Sequence, residues 1–127
     1  MKWIDDYVGK PWAAIDNNCW DFVRLIWREH FGLEVPAVDV DAYSRLACCR
    51  ALSAHDHRHE WVEVETPADG DAVLMGRSKL MAHVGVFVAG RVLHCLEGHG
   101  VVWQRLSDVK LSGLKNILFY RHRELMK

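Results

Sequence analysis

Near Glu60 the hydrophobic pattern of this chain changes period, and that change limits the folds open to it. Before this point apolar residues recur at three- and four-residue spacing, the period of an amphipathic helix. After it they alternate, the period of a half-buried strand. Helices followed by a run of short strands imply an α+β architecture, with an antiparallel sheet of about five or six strands, rather than alternating βαβ units. At 127 residues the chain is long enough for one core, so residues 1–127 are expected to form a single domain.

In the helical half, Trp3 to Val8 form a short amphipathic segment of one or two turns, broken by Gly9-Lys10-Pro11. Asp16, Asn17 and Asn18 then offer side-chain oxygens that can satisfy the free N–H groups of a first helical turn. Cys19, Phe22, Val23, Ile26, Trp27 and His30 follow at helical spacing. The spacing predicts a helix from Cys19 to His30 or Phe31, stopped by Gly32 as its C′ residue. Leu33 to Pro36 read as an extended exit. A second helix is predicted after Asp39 or Asp41, with Tyr43, Leu46, Ala47, Arg50, Ala51 and Ala54 on one face, and it fades into a polar linker from His55 to His59.

The alternating half divides into strand candidates at Trp61–Val64, Asp71–Met75, His83–Val88, Arg91–Cys95, Val101–Arg105 and Asn116–Tyr120. Ala89-Gly90 makes the stretch on either side of it a hairpin. Ser107 to Leu114 is expected to be a loop or helical turn. Asn116–Tyr120 is expected to close the sheet, with the charged tail from Arg121 to Lys127 as an edge.

The chemistry in this pattern starts at Cys19. A helix N-terminus carries partial positive charge and unpaired N–H groups, and both favour a thiolate. The hairpin supplies the other parts of a thiol hydrolase. His83 opens one strand and His94 lies near the end of its partner, so the turn at Ala89-Gly90 brings them opposite one another to within a residue. Cross-strand neighbours stand about 5 Å apart at Cβ, within reach of a ring-to-ring hydrogen bond. Cys19 is therefore assigned as nucleophile, His83 as the general base and acid, and His94 as the residue that orients His83.

These stretches resemble the NlpC/P60 cysteine peptidases, in particular their short phage-tail-associated members. The resemblance runs through "YVGKPW", "NCWDFVRLIW", "LEVP", "GDAVLM" and "HVGVFVAGRVLHC", and so covers nearly the whole chain. It implies a papain-like fold in which the cysteine helix packs on an antiparallel sheet. It also implies the same roles for Cys19, His83 and His94, and peptide bonds of bacterial cell-wall peptides (peptidoglycan) as substrates. Tyr7 corresponds to a tyrosine lining the active site of the family, and Trp20, beside the nucleophile, is a second candidate for substrate contact. Many cell-wall members read Asp-Cys-Ser-Gly where this chain has Asn18-Cys19-Trp20-Asp21. The Cys-Trp form is the one met in phage-tail members, which makes other tail proteins candidate partners.

Composition narrows the remaining possibilities. The net charge of −1 gives no basic surface for general nucleic-acid binding. No stretch approaches the roughly 18 apolar residues of a membrane span, and the N-terminus lacks the apolar core of a signal peptide. The expectation is synthesis in the cytoplasm, no membrane partner and no cofactor. Of the four cysteines, Cys48 and Cys49 are adjacent, a poor geometry for a disulfide with each other. Together with His55, His57 and His59 they form a dense cluster, but not at the spacing of a common zinc site, so no metal is assigned. Two alternatives use the same residues differently: an amidase or acyltransferase with the same Cys-His pair, and a non-catalytic tail-assembly protein. For the latter, Trp12 and Trp103 are the surface candidates among six tryptophans, whereas Trp20 and Trp27 sit at core positions of the helix.

Overall fold

The computed structural model describes residues 2–13, 17–36, 60–78 and 83–127. The proposed second helix, Asp16, and the cluster of Cys48, Cys49, His55, His57 and His59 lie outside the described residues.

Helix α1 is a single turn, Lys2–Asp5, and α2 spans Cys19–Phe31. Asn18 caps α2: its side chain accepts from the Asp21 N–H at 2.9 Å, so one free donor of the first turn is satisfied. At the other end Gly32 takes a left-handed conformation (φ 67°), and the Leu33 N–H bonds back to the Trp27 carbonyl. That is the expected glycine stop, since a side chain would be strained there.

The strands are β1 (Trp61–Val64), β2 (Ala72–Gly76), β3 (His83–Val88), β4 (Arg91–Leu96), β5 (Gly100–Gln104) and β6 (Asn116–His122). A short helix, α3 (Leu106–Leu111), links β5 to β6, and a 3₁₀ turn covers Arg123–Met126. The strands form one antiparallel sheet in the order β1-β6-β2-β3-β4-β5. The molecule is thus α+β, with its helices outside an antiparallel sheet.

The C-terminal strand differs from expectation. β6 does not close an edge: it lies between β1 and β2 and runs on through Arg121 and His122. Arg121 and Asp71 explain the placement. The Arg121 guanidinium makes two bonds of 2.9 Å to the carboxylate of Asp71, which is completely buried just ahead of β2. Asp71 also accepts from the Ala68 N–H at 2.7 Å. The charge at Arg121 that suggests an exposed edge is consumed by an ion pair with the buried Asp71 that locks β6 beside β2.

Both faces of the central strands are covered. On one, Phe22, Val23, Ile26 and Trp27 of α2 pack with Ile4 and Tyr7 against Val84, Val86, Leu93 and Cys95. On the other, Val73, Met75 and Val92 pack with Val109 of α3. Burying a side chain the size of Phe22 contributes about 2–3 kcal/mol, so α2 is held mainly by this face and not by its intrinsic helix propensity. Trp12 and Trp103, expected at the surface, are instead half-buried against the main core, and the Trp103 indole N–H donates to the Val88 carbonyl at 3.1 Å. Among the described residues no helix is long and apolar enough to cross a membrane.

Candidate active site

The hairpin of β3 and β4 pairs Val86 with Leu93, Phe87 with Val92 and Val88 with Arg91. Carrying that register one step further sets Gly85, not His83, across from His94. The two histidines are therefore diagonal neighbours on one face, a residue further apart than the turn arithmetic allowed. They still meet. His83 Nε2 and His94 Nδ1 are 2.8 Å apart, with the ring planes inclined at 60°.

Gly85 makes that diagonal contact possible. A Cβ at this position would stand 2.7 Å from Val92 Cγ1 and 3.0 Å from His94 Cβ, closer than packed carbon atoms come. A Gly85→Ala change is expected to destabilise the fold by about 1–3 kcal/mol, the usual range for overpacking. It is also expected to broaden or shift the imidazole NMR signals of both histidines. Unchanged ring signals in a folded variant would show that the glycine does not shape the pair.

A third residue joins the pair that the sequence pattern did not single out. His94 Nε2 lies 2.9 Å from Oε1 of Gln104 on β5. The register pairs His94 with Val102 and Val92 with Gln104, so this contact is diagonal as well. His83, His94 and Gln104 thus form a hydrogen-bonded chain across three adjacent strands. An even-numbered polar residue late in β5, on the face that carries His94, was the available signal. Without the β4–β5 register it had no meaning.

Burial is the first cause that lowers the proton affinity of both rings. His94 is fully buried, and its pKa falls to about 4 even though the Gln104 hydrogen bond acts in the other direction. His83 keeps some exposed surface, but its ring is crowded by protein. Desolvation, and then the neighbouring His94, hold its pKa well below 6.5. Both imidazoles are neutral at pH 7.

Stability should respond to this. The folded pKa of His94 lies below its unfolded value, so between pH 6.5 and about 4 only the unfolded chain takes up this proton. Stability is expected to be full above pH 6.5 and to fall as pH drops towards 4, by about 3 kcal/mol for this group. His83 acts with the same sign. Urea unfolding at pH 7 and pH 4.5 measures the loss, and a His94→Gln variant should show a flatter dependence. Equal midpoints for the native protein at the two pH values would contradict buried neutral rings.

Cys19 is the first residue of α2 and is half-buried against the main core. The structure brings its end of the helix to the histidines' end of the sheet. Two residues earlier, Asn17 contacts Cys95, the neighbour of His94 on β4. The Cys95 thiol donates to the Asn17 carbonyl at 3.4 Å, and the Asn17 amide lies 3.8 Å from the sulfur. Asn17 also donates to the Pro11 carbonyl at 2.7 Å, which fixes the entry into α2. Strand alternation puts His83, Gly85 and His94 on the face away from the α2 core, while Val84, Val86 and Cys95 face it. His83 is the first residue of β3, at the end of the sheet where Asn17 meets Cys95, and lies on the opposite face from the core that Cys19 joins.

The two described thiols are chemically unlike. Cys95 is buried, and desolvation pushes its pKa up to about 11, so it stays a protonated, inert thiol. Cys19 starts a capped helix and is only half-buried.

Two other candidate residues have structural partners. The Tyr7 hydroxyl donates to Glu29 at 2.8 Å and lies 3.0 Å from His30 Nε2, so it braces the last turns of α2. Burial and Glu29 push its pKa up to about 12. Ten residues of helix, roughly 15 Å, separate Glu29 from Cys19. The Tyr7 hydroxyl is thus engaged towards the far end of α2, while its ring meets Phe22, one turn from Cys19, edge-on at 6.1 Å. Trp20 donates its indole N–H to the Pro36 carbonyl at 3.1 Å and meets Trp27 edge-on at 6.1 Å. It anchors the extended exit from α2.

No known family model matches the chain, and no curated protein matches it.

Proposed function

We propose that this protein is a cysteine hydrolase of the papain-like NlpC/P60 type, cleaving peptide bonds in bacterial cell-wall peptides as a phage-tail-associated enzyme. The hydrogen-bonded chain His83–His94–Gln104, at the end of the sheet where α2 starts with Cys19, is the observation that carries this reading.

In the proposed reaction, neutral His83 takes the proton from the Cys19 thiol as Sγ attacks the scissile carbonyl carbon. The oxyanion that forms is held partly by the Cys19 backbone N–H at the start of α2. Collapse breaks the C–N bond, and His83 passes its proton to the leaving amine. Water, losing a proton to the same imidazole, then attacks the thioester. The C–S bond breaks, His83 returns its proton to Cys19, and the acid product leaves and ionises to solvent. His94 holds the His83 ring in place throughout. Acylation and deacylation each begin with a neutral His83, which agrees with the lowered proton affinity of that ring.

The test pairs the protein with a Cys19→Ala control on purified cell-wall peptides, using mass spectrometry to find a new free amine. Cleavage by the native protein alone is expected. Iodoacetamide labelling across pH should modify Cys19 faster than Cys48 near neutral pH. If the two cysteines label alike and no wall fragment appears, the fold is being used for docking and not for hydrolysis.

A further inference from the structure

The proton positions in the His83–His94–Gln104 chain follow from the atom that Gln104 presents to His94, which is its amide oxygen. The amide oxygen of Gln104 can only accept, so the facing His94 Nε2 must carry hydrogen. A neutral His94 then has a bare Nδ1, and that nitrogen can only accept. His83 Nε2, 2.8 Å away, must therefore be the donor. A neutral His83 that carries its proton on Nε2 has its lone pair on Nδ1, the one ring nitrogen left for a thiol. Rotating the Gln104 amide by half a turn reverses every step and puts a proton on Nδ1. The choice is thus made at Gln104, two strands from His83.

We infer that Gln104 is a positioning residue that sets the tautomer of His83 through His94, keeping Nδ1 of His83 free to accept a proton. This rests on the hydrolase reading for its purpose, but the tautomers themselves need no substrate to be seen. The role is distinct from that of a simple brace. An apolar side chain of similar length would fill the same space yet leave His94 Nε2 with no acceptor, and His94 would then shift towards the Nδ1–H form. His83 would follow by accepting at Nε2 and carrying its own proton on Nδ1.

Protein labelled with ¹⁵N-histidine provides the test, through the imidazole nitrogen signals at pH 7 and pH 8. In the native protein both rings are expected as Nε2–H tautomers. In Gln104→Met both should move towards Nδ1–H, and peptide hydrolysis should fall at least tenfold. Gln104→Glu restores an acceptor and should return the Nε2–H pattern at pH 8, where His94 is neutral, while raising the pKa of His94. A native His83 found as Nδ1–H overturns the inference without any variant, as does a folded Gln104→Met protein with unchanged tautomers. If the tautomers behave as expected but the native protein cleaves no cell-wall peptide, the hydrolase reading fails and the tautomer relay stands.

Discussion

Replacing His83 by alanine is expected to slow hydrolysis of a cell-wall peptide by roughly 10²–10⁴-fold, the range for loss of a positioned general base. Cys19→Ala should go further, to background, because no other described thiol can take over: Cys95 is buried and protonated. Combining the two changes should cost little more than the worse single change, since in the proposed reaction the residues act on one bond as a unit. The pH profile gives an independent check. In the proposed reaction His83 works in its neutral form, and its pKa is held well below 6.5 by burial and by His94. The rate should therefore be level through pH 6.5 and decline only as pH falls through that lowered value. An acid limb centred at 6.5 or above would mean that the working base is not in the environment described. A fall for His83→Ala of less than about tenfold would remove it from the reaction altogether.

The second large effect is on stability and lies away from the site. Arg121→Met should destabilise the fold by about 3 kcal/mol, because it leaves the fully buried Asp71 carboxylate, among the described residues, with the Ala68 N–H as its remaining partner. The low end of the range for broken buried pairs applies because a quarter of the Arg121 side chain (26%) remains exposed. Arg121→Lys should recover only part of the loss, since an ammonium cannot reproduce the two parallel bonds. Chemical denaturation measures both variants. An Asp71→Leu, Arg121→Met double variant should be more stable than the sum of its single changes predicts, because it leaves no buried charge behind. Additive losses would show that the two side chains are not energetically coupled. The pair also reaches the site indirectly. β6 lies against β2, and β2 pairs Met75 with His83, so loosening β6 loosens the strand on which His83 begins.

Much of this fold is legible in the chain because the deciding interactions are local. The α2 boundaries follow from Asn18 ahead of Cys19 and Gly32 after Phe31, both within one turn of the residues they serve. The six strands follow from alternation, and the β3–β4 hairpin from Ala89-Gly90 between its halves. For the same reason the His83–His94 meeting is visible in advance, apart from the exact step of register. Tyr7 shows where such reasoning stops. Its place in the sequence says nothing of Glu29 and His30, more than twenty residues on, whose polar atoms its hydroxyl meets.

The sequence by itself therefore determined the six strands in their chain order, the capped helix that begins with Cys19, and the hairpin that joins His83 to His94. Caps, turns and periodicity act over a few residues. Only the tertiary structure decided that β6 enters between β1 and β2, that Arg121 covers a buried Asp71, and that Gln104 stands behind His94. Each of these depends on strand neighbours that are distant in sequence. Their selection comes from summed burial and from the need to pair every buried polar group, conditions that no short stretch of the chain contains.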